Sequence, residues 1–443
     1  MRKQILTRFT AIISTIVIFT LTLIDVPQIT YAQTVAWPTA PVTLAGSAIL
    51  IDVDTGAILY DKGSHNKAYP ASMTKIMTGL LTIEKCSFDE VVTFSSAAAK
   101  SVVQGDSNIS TKTGEQYTVE QSLYALLLSS ANEVAYGLAE HVGGSLSVFV
   151  NMMNARAKEL GALDTHFNNA SGLADLDHYT TAYDMAMIGR ASFSNATFLS
   201  IDSFTGSYKL GTTNLTSVAR ILTGSNLMFK GRQFYYEYCK GSKTGFTDES
   251  GYTLISYAEK NGMRLICVVM KEANINDRYM DTKALFEYGF NNFKKVSISN
   301  SDVSSLFDSS NYYYSEVYGN NNINFSIDSA YVDLPNAATV SDIGLKLDSN
   351  AAGNIDDPNY NAKLNFIYNG NTVGSSSLVV NKTNAIKSEN LPYLTSNNSS
   401  TPIGKKKLVI NVKYLGFGLI IIIALQLILF IRHALRMKRR KRY

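Results

Sequence analysis

The chain has 443 residues, 40 of them Lys or Arg and 36 Asp or Glu, which is long enough for two or three domains with a sizeable core. Its composition is that of an ordinary globular protein, but the net charge of +4 conceals an asymmetry, with basic residues collected at both ends. The three cysteines, Cys86, Cys239 and Cys267, are odd in number and widely spaced, which excludes a disulfide framework, and no CxxC pair suggests a metal site.

Taken in chain order, residues 1–32 carry basic residues, an apolar run from Phe9 to Ile24 and small residues at Thr30 and Ala32. This is the pattern of a secretory signal peptide cleaved after Ala32, with an uncleaved anchor helix as the alternative. A linker, 33–43, precedes two β-rich runs around Asp54-Thr55-Gly56, a hairpin signal. A helix is expected from about Ser72, with Met73, Ile76, Met77 and Leu80 at helical spacing. Residues 119–143 read as helix, and 145–200 as helix and loop. A second hairpin turns at Asn261-Gly262, and 281–293 close the region as an amphipathic helix. Strands at both ends with helices between them imply one α/β (α+β) domain over 44–295, whose sheet pairs its first and last segments.

From about Val296 Asn, Ser, Asp and Tyr dominate and short alternating runs appear, one hairpin turning at Asn369-Gly370-Asn371. We expect a small β-rich domain over 296–400, with a disordered stalk as the alternative. Tyr414–Ile431 is 18 residues without a charge, about 27 Å as a helix and close to a bilayer's hydrocarbon thickness. The basic tail, 432–443, belongs on the cytoplasmic side, so the chain between signal and span is expected outside, on a bacterial membrane. Next to such a span the tail reads as a membrane flank rather than a nucleic-acid site.

Three motifs carry chemistry. Ser72 and Lys75 lie three apart, so that on a helix they share a face. Serine needs a base to become a nucleophile, and lysine serves only if burial or a second cation lowers its pKa. Ser130 and Asn132 interrupt an apolar stretch. Lys243-Thr244-Gly245 precedes a strand, where Gly245 lets something lie close against the strand edge. Ser242 before Lys243 breaks the P-loop pattern and disfavours phosphate binding. S-x-x-K, S-x-N and K-T-G in this order form the active-serine set of penicillin-binding proteins and class A β-lactamases.

With "AILIDVDTGAILYDK", "PASMTKIMT", "LLLSSANEVA", "KTGFT" and "EYGFNNF", the chain resembles the low-molecular-mass penicillin-binding proteins that are D-alanyl-D-alanine carboxypeptidases. The resemblance is close over about 44–293 and looser beyond. It implies a transpeptidase/β-lactamase-like domain with an antiparallel sheet and a helical region, then a β-rich domain and membrane attachment. It further implies Ser72 as the acylated nucleophile, Lys75 as its base and Ser130 as a proton relay tuned by Lys243. Asn132 would hold the substrate amide, Thr244 and Arg278 its terminal carboxylate, and the backbone N–H groups of Ser72 and Phe246 the oxyanion. Peptidoglycan stem peptides would be substrates and β-lactam antibiotics covalent inhibitors, with no cofactor or metal. The stretch 166–184 departs from the family in having Ala170-Ser171 before Gly172-Leu173, where a proline is usual. Its His166 and His178, without a third ligand nearby, read as structural. A β-lactamase, or a non-hydrolytic penicillin-binding sensor or scaffold, are the competing functions.

Overall fold

Strand β1 (Ser47–Asp52) is buried at every position, which follows from its place inside a sheet covered on both faces. It forms a hairpin with β2 (Ile58–Lys62) and pairs on its other side with β9 (Met263–Glu272). β7 (Cys239–Thr247) and β8 (Gly251–Lys260) complete a five-stranded antiparallel sheet in the order β2-β1-β9-β8-β7. First and last segments of the region thus pair, as the sequence predicts. The β8–β9 turn places Asn261 and Gly262 at φ of 52° and 80°, the left-handed pair that a two-residue hairpin requires. The computed structural model describes residues 36–309, 323–348 and 361–382.

Alternation along the strands divides the core into two layers. Ile49, Ile51, Ile266 and Val268 face a helical region, while Leu50, Leu265, Cys267 and Val269 face α8 (Asp277–Asn292). Between the sheet's halves run β3 (Val91–Thr93), β4 (Gln116–Thr118) and a ribbon of β5 (Ser207–Leu210) with β6 (Arg220–Thr223). The helices there are α1 (Lys75–Lys85), α2 (Ser96–Ala99), α3 (Val119–Leu128), α4 (Asn132–Gly143), α5 (Leu146–Glu159), α6 (Ala182–Ser194) and α7 (Ala196–Asp202). Helix α1 is buried from Lys75 to Thr82, so it runs through the centre of this layer rather than along its surface.

Two expectations are corrected. The helix expected from Ser72 begins as a 3-10 turn, Ala71–Thr74, and becomes α-helical only at Lys75. The continuous helix expected over 119–143 is two helices, α3 and α4. A capping box starts α3, with Thr118 Oγ1 accepting from the Gln121 N–H and Gln121 Oε1 from the Thr118 N–H. It ends because Ser130 takes φ +55°, outside the helical region. Ser130 is therefore a buried residue of the interruption and Asn132 the buried first residue of α4.

After α8 come β10 (Phe293–Ile298), α9 (Asn300–Ser309), β11 (Ile323–Ile327), β12 (Ala330–Pro335), β13 (Gly344–Leu347), β14 (Asn361–Tyr368) and β15 (Asn371–Lys382). β10 pairs with β12, and the other four form a sheet ordered β11-β15-β14-β13 over a core containing Val332, Leu364 and Phe366. Asn369 and Gly370 make the expected hairpin turn, at φ of 46° and 81°. The expected signal (1–32), span (414–431) and basic tail (432–443) lie outside the described residues. Among the described residues no helix is long and apolar enough to cross a membrane.

Candidate active site

The chain reaches Ser72 through Pro70 and Ala71, the latter held at φ +48°. A left-handed alanine costs of order 1–3 kcal/mol and persists only where its surroundings determine it. Here it turns the chain so that half-buried Ser72 lines a cleft of about 690 Å³. Lys75 Nζ lies 3.0 Å from Ser72 Oγ and donates to Asn132 Oδ1 at 2.5 Å and to the Ser171 carbonyl at 2.6 Å. Two hydrogens of a neutral amine are thereby placed, leaving its lone pair for the Ser72 hydroxyl proton. Burial, then the charge of Lys243, hold Lys75 well below the ordinary lysine pKa, while Glu133 and Asp106 oppose the shift. The second cation sought in the sequence is therefore Lys243.

Lys243, on β7, donates to Ser130 Oγ and to the Thr244 carbonyl, both at 3.0 Å. Its pKa is pushed down to about 8 by burial, with nearby Asp202 opposing and Arg278 reinforcing the shift. Asp202, at the end of α7, accepts from the Ser242 N–H at 2.7 Å, and burial pushes its pKa up to about 7. Its charge acts on Lys243, and sequence reading missed it because it belongs to no motif.

Thr244, Gly245, Phe246 and Arg278 line the same cleft. Gly245 is required by sterics: a Cβ there would stand 2.5 Å from Thr253 Oγ1 and 2.9 Å from both Ala71 Cβ and the Pro70 carbonyl. What lies against this strand edge is the turn that leads into Ser72. Arg278, in the first turn of α8, is buried and donates to the Gly245 and Thr253 carbonyls at 3.2 and 3.4 Å. Its guanidinium also lies over the Tyr252 and Tyr279 rings. Among the described residues it forms no ion pair, and its Nε has no partner, so its charge is free to meet an anion in the cleft.

The loop before α6 supports the turn from the other side. Gly172, at φ +85°, packs so closely that a Cβ would lie 1.8 Å from the Ala71 carbonyl oxygen, so no side chain fits. His178 is structural in this geometry. Its Nδ1 accepts from the Asn168 and Asn169 N–H groups, which leaves the proton on Nε2, 2.8 Å from Thr74 Oγ1. Burial pushes its pKa down to about 4, so it stays neutral. His166 contacts the Asp177 carbonyl through Nδ1. Ser171 contributes only its backbone oxygen, a role that side-chain patterns do not disclose.

An antiparallel sheet between helical layers, with a lysine-paired serine entering the central helix, defines a transpeptidase-like fold with a serine-type site. The chain belongs to the D-alanyl-D-alanine carboxypeptidase family, peptidase S11, whose model matches residues 34–274. It is 36% identical over 255 residues to the D-alanyl-D-alanine carboxypeptidase DacF of Bacillus subtilis (strain 168), covering 56% of this chain and 63% of that protein. It is 30% identical over 266 residues to DacC of Escherichia coli (strain K12), covering 58% and 64%. The matches thus span just under two thirds of these relatives' lengths. Penicillin binding protein 6B from Escherichia coli superposes with a TM-score of 0.58 at 26% identity, covering 77% of this chain and 97% of that one.

Proposed function

We propose that this chain is a serine-type carboxypeptidase that removes the terminal D-alanine from peptidoglycan stem peptides ending in D-Ala-D-Ala. The contact between Ser72 Oγ and the wholly buried Lys75 Nζ, at 3.0 Å, carries the reading. Lys75 takes the hydroxyl proton as Ser72 Oγ bonds to the carbonyl carbon of the penultimate residue. The oxyanion that forms is held by the N–H groups of Ser72 and Phe246, each worth about 3 kcal/mol in comparable sites. As the C–N bond breaks, Ser130 passes a proton to the leaving amine, and Lys243 holds Ser130 in place. Asn132 orients the substrate amide. Thr244 and Arg278 receive the terminal carboxylate, a pairing that suits a hydroxyl and a guanidinium. Water then hydrolyses the Ser72 ester. β-Lactams, presenting a strained amide beside a carboxylate, would acylate the same oxygen.

The β-lactamase alternative needs a base to activate deacylating water while the opened ring stays in place. The segment 166–184 contains no glutamate. Glu133 is wholly buried and does not line the cleft; its Oε1 accepts from the Ile109 N–H at 2.7 Å and from Thr111. We therefore expect a D-Ala-D-Ala peptide to turn over with release of free D-alanine, while the penicilloyl adduct decays far more slowly. Measuring both rates on one preparation decides the matter, and penicillin turning over faster than peptide would make the protein a β-lactamase.

We also propose that the chain is exported and held in a bacterial membrane by residues 414–431, on the strength of their uncharged apolar sequence and basic flank. Ending the chain before Lys405 is expected to release a penicillin-reactive protein from the membrane fraction. Retention of the shortened protein there would assign attachment to another surface.

A further inference from the structure

The far ends of two helices that build the active site meet at a second group of side chains. Helix α1 begins with Lys75 and is capped by Cys86; α4 begins with Asn132 and carries His141 in its last turn. Glu90, in the loop leading to β3, lies between them. Cys86 Sγ, a Glu90 carboxylate oxygen and a His141 ring nitrogen all lie within 4.8 Å of one another. Glu90 is already oriented: Oε1 accepts from the Ser87 N–H at 2.5 Å, and Oε2 stands 3.0 Å from His141 Nε2.

We propose that Cys86, Glu90 and His141 bind a divalent transition metal, zinc(II) by the chemistry of the donor set, as a clasp between the ends of α1 and α4. One thiolate, one imidazole and one carboxylate suit zinc better than a hard cation, and three protein ligands leave a fourth position for water. Zinc bonds of about 2.0–2.3 Å bring tetrahedral ligand atoms to about 3.5 Å from one another. Closing from the observed separation needs a shift of roughly 1 Å, within reach of a loop glutamate and a cysteine at a helix end. Cys86 and His141 are half-buried and Glu90 exposed, so an ion reaches the site from solvent. Binding exchanges a proton for the metal: the S–H bond breaks, the S–Zn bond forms, and H⁺ leaves to solvent.

The cysteine inventory favours the test, because Cys239 and Cys267 are buried and Cys86 is the most exposed of the three thiols. Tag-free full-length protein titrated with cobalt(II) is expected to develop a near-ultraviolet thiolate-to-cobalt band that saturates at one equivalent and is displaced by zinc(II). Free zinc at ten times its Kd leaves about a tenth of the sites open, so reaction of Cys86 with a thiol reagent should slow about tenfold. Cys86→Ser and, independently, His141→Ala should each remove the band, while both still react with penicillin, which shows them folded. Zinc should raise the melting temperature of the parent protein and of neither variant. Absence of the band at stoichiometric cobalt, or its persistence in either variant, overturns the proposal.

Discussion

Ser72→Ala is expected to abolish covalent labelling by penicillin and to lower D-Ala-D-Ala hydrolysis by about 10⁴-fold or more, equivalent to about 5.5 kcal/mol of barrier. No other oxygen can substitute. Ser130 Oγ, the other hydroxyl in reach, is fixed by Lys243 at 3.0 Å and has no direct contact with Lys75 Nζ, whose hydrogen-bond partners are Ser72, Asn132 and Ser171. The change should scarcely affect stability. Ser72 is half-buried, and the loss of one Oγ leaves Lys75 with its bonds to Asn132 and Ser171. Substitutions that empty no core and orphan no buried group usually fall within about 0.5 kcal/mol. Mass spectrometry of the penicillin-treated protein and a thermal melt read both quantities. A penicilloyl adduct that survives in Ser72→Ala, in a protein melting with the parent, would falsify the nucleophile assignment.

Lys75→Arg is expected to cost acylation about 10²–10⁴-fold, the range of a general base. Guanidinium keeps its proton under any condition in which the protein is folded, so it cannot accept the one on Ser72. The pH profile separates this role from simple positioning. Burial and Lys243 depress the Lys75 pKa, so the amine becomes neutral, and competent as a base, well below the pH at which a free lysine would. Acylation should therefore rise with pH through that depressed value. It should fall again as Lys243, with a pKa of about 8, loses the charge that anchors Ser130. In Lys75→Arg the acid limb should disappear while the alkaline limb remains. Single-turnover acylation rates from acid to alkaline pH provide the measurement. An acid limb of undiminished amplitude in the variant would assign the base to another group.

Some of this was readable without coordinates because the determinants are local. Asn261-Gly262 and Asn369-Gly370 specify their turns through backbone freedom that few residues share, and both turns form where the sequence places them. Continuous apolar runs in β1 and β9 announce strands covered on both faces, although not which helices cover them. The three motifs place serine, lysine and asparagine by spacing alone. What spacing concealed is the break between α3 and α4. Residues 119–143 satisfy helical periodicity throughout, and only Ser130 at φ +55° ends the first helix. That strain is not written in local propensity; it is maintained by contacts such as the one from Lys243, 113 positions away.

The sequence by itself determined the chemical groups, their order along the chain and the family to which they belong, since these depend on residue identity. The tertiary structure decided what those groups are able to do. Lys75 is held well below the ordinary lysine pKa because the fold buries it completely and sets the charge of Lys243 beside it. Among the described residues the Arg278 guanidinium is held by backbone carbonyls and aromatic rings and by no carboxylate, an arrangement only the fold brings about. Gly172 and Gly245 matter because the turn at Ala71 is clamped between them, a closeness that neither segment encodes alone. Cys86, Glu90 and His141 form a donor set only because α1 and α4 end side by side. Burial, pKa and close approach depend on distances between segments remote in sequence, and those distances exist only once the chain has folded.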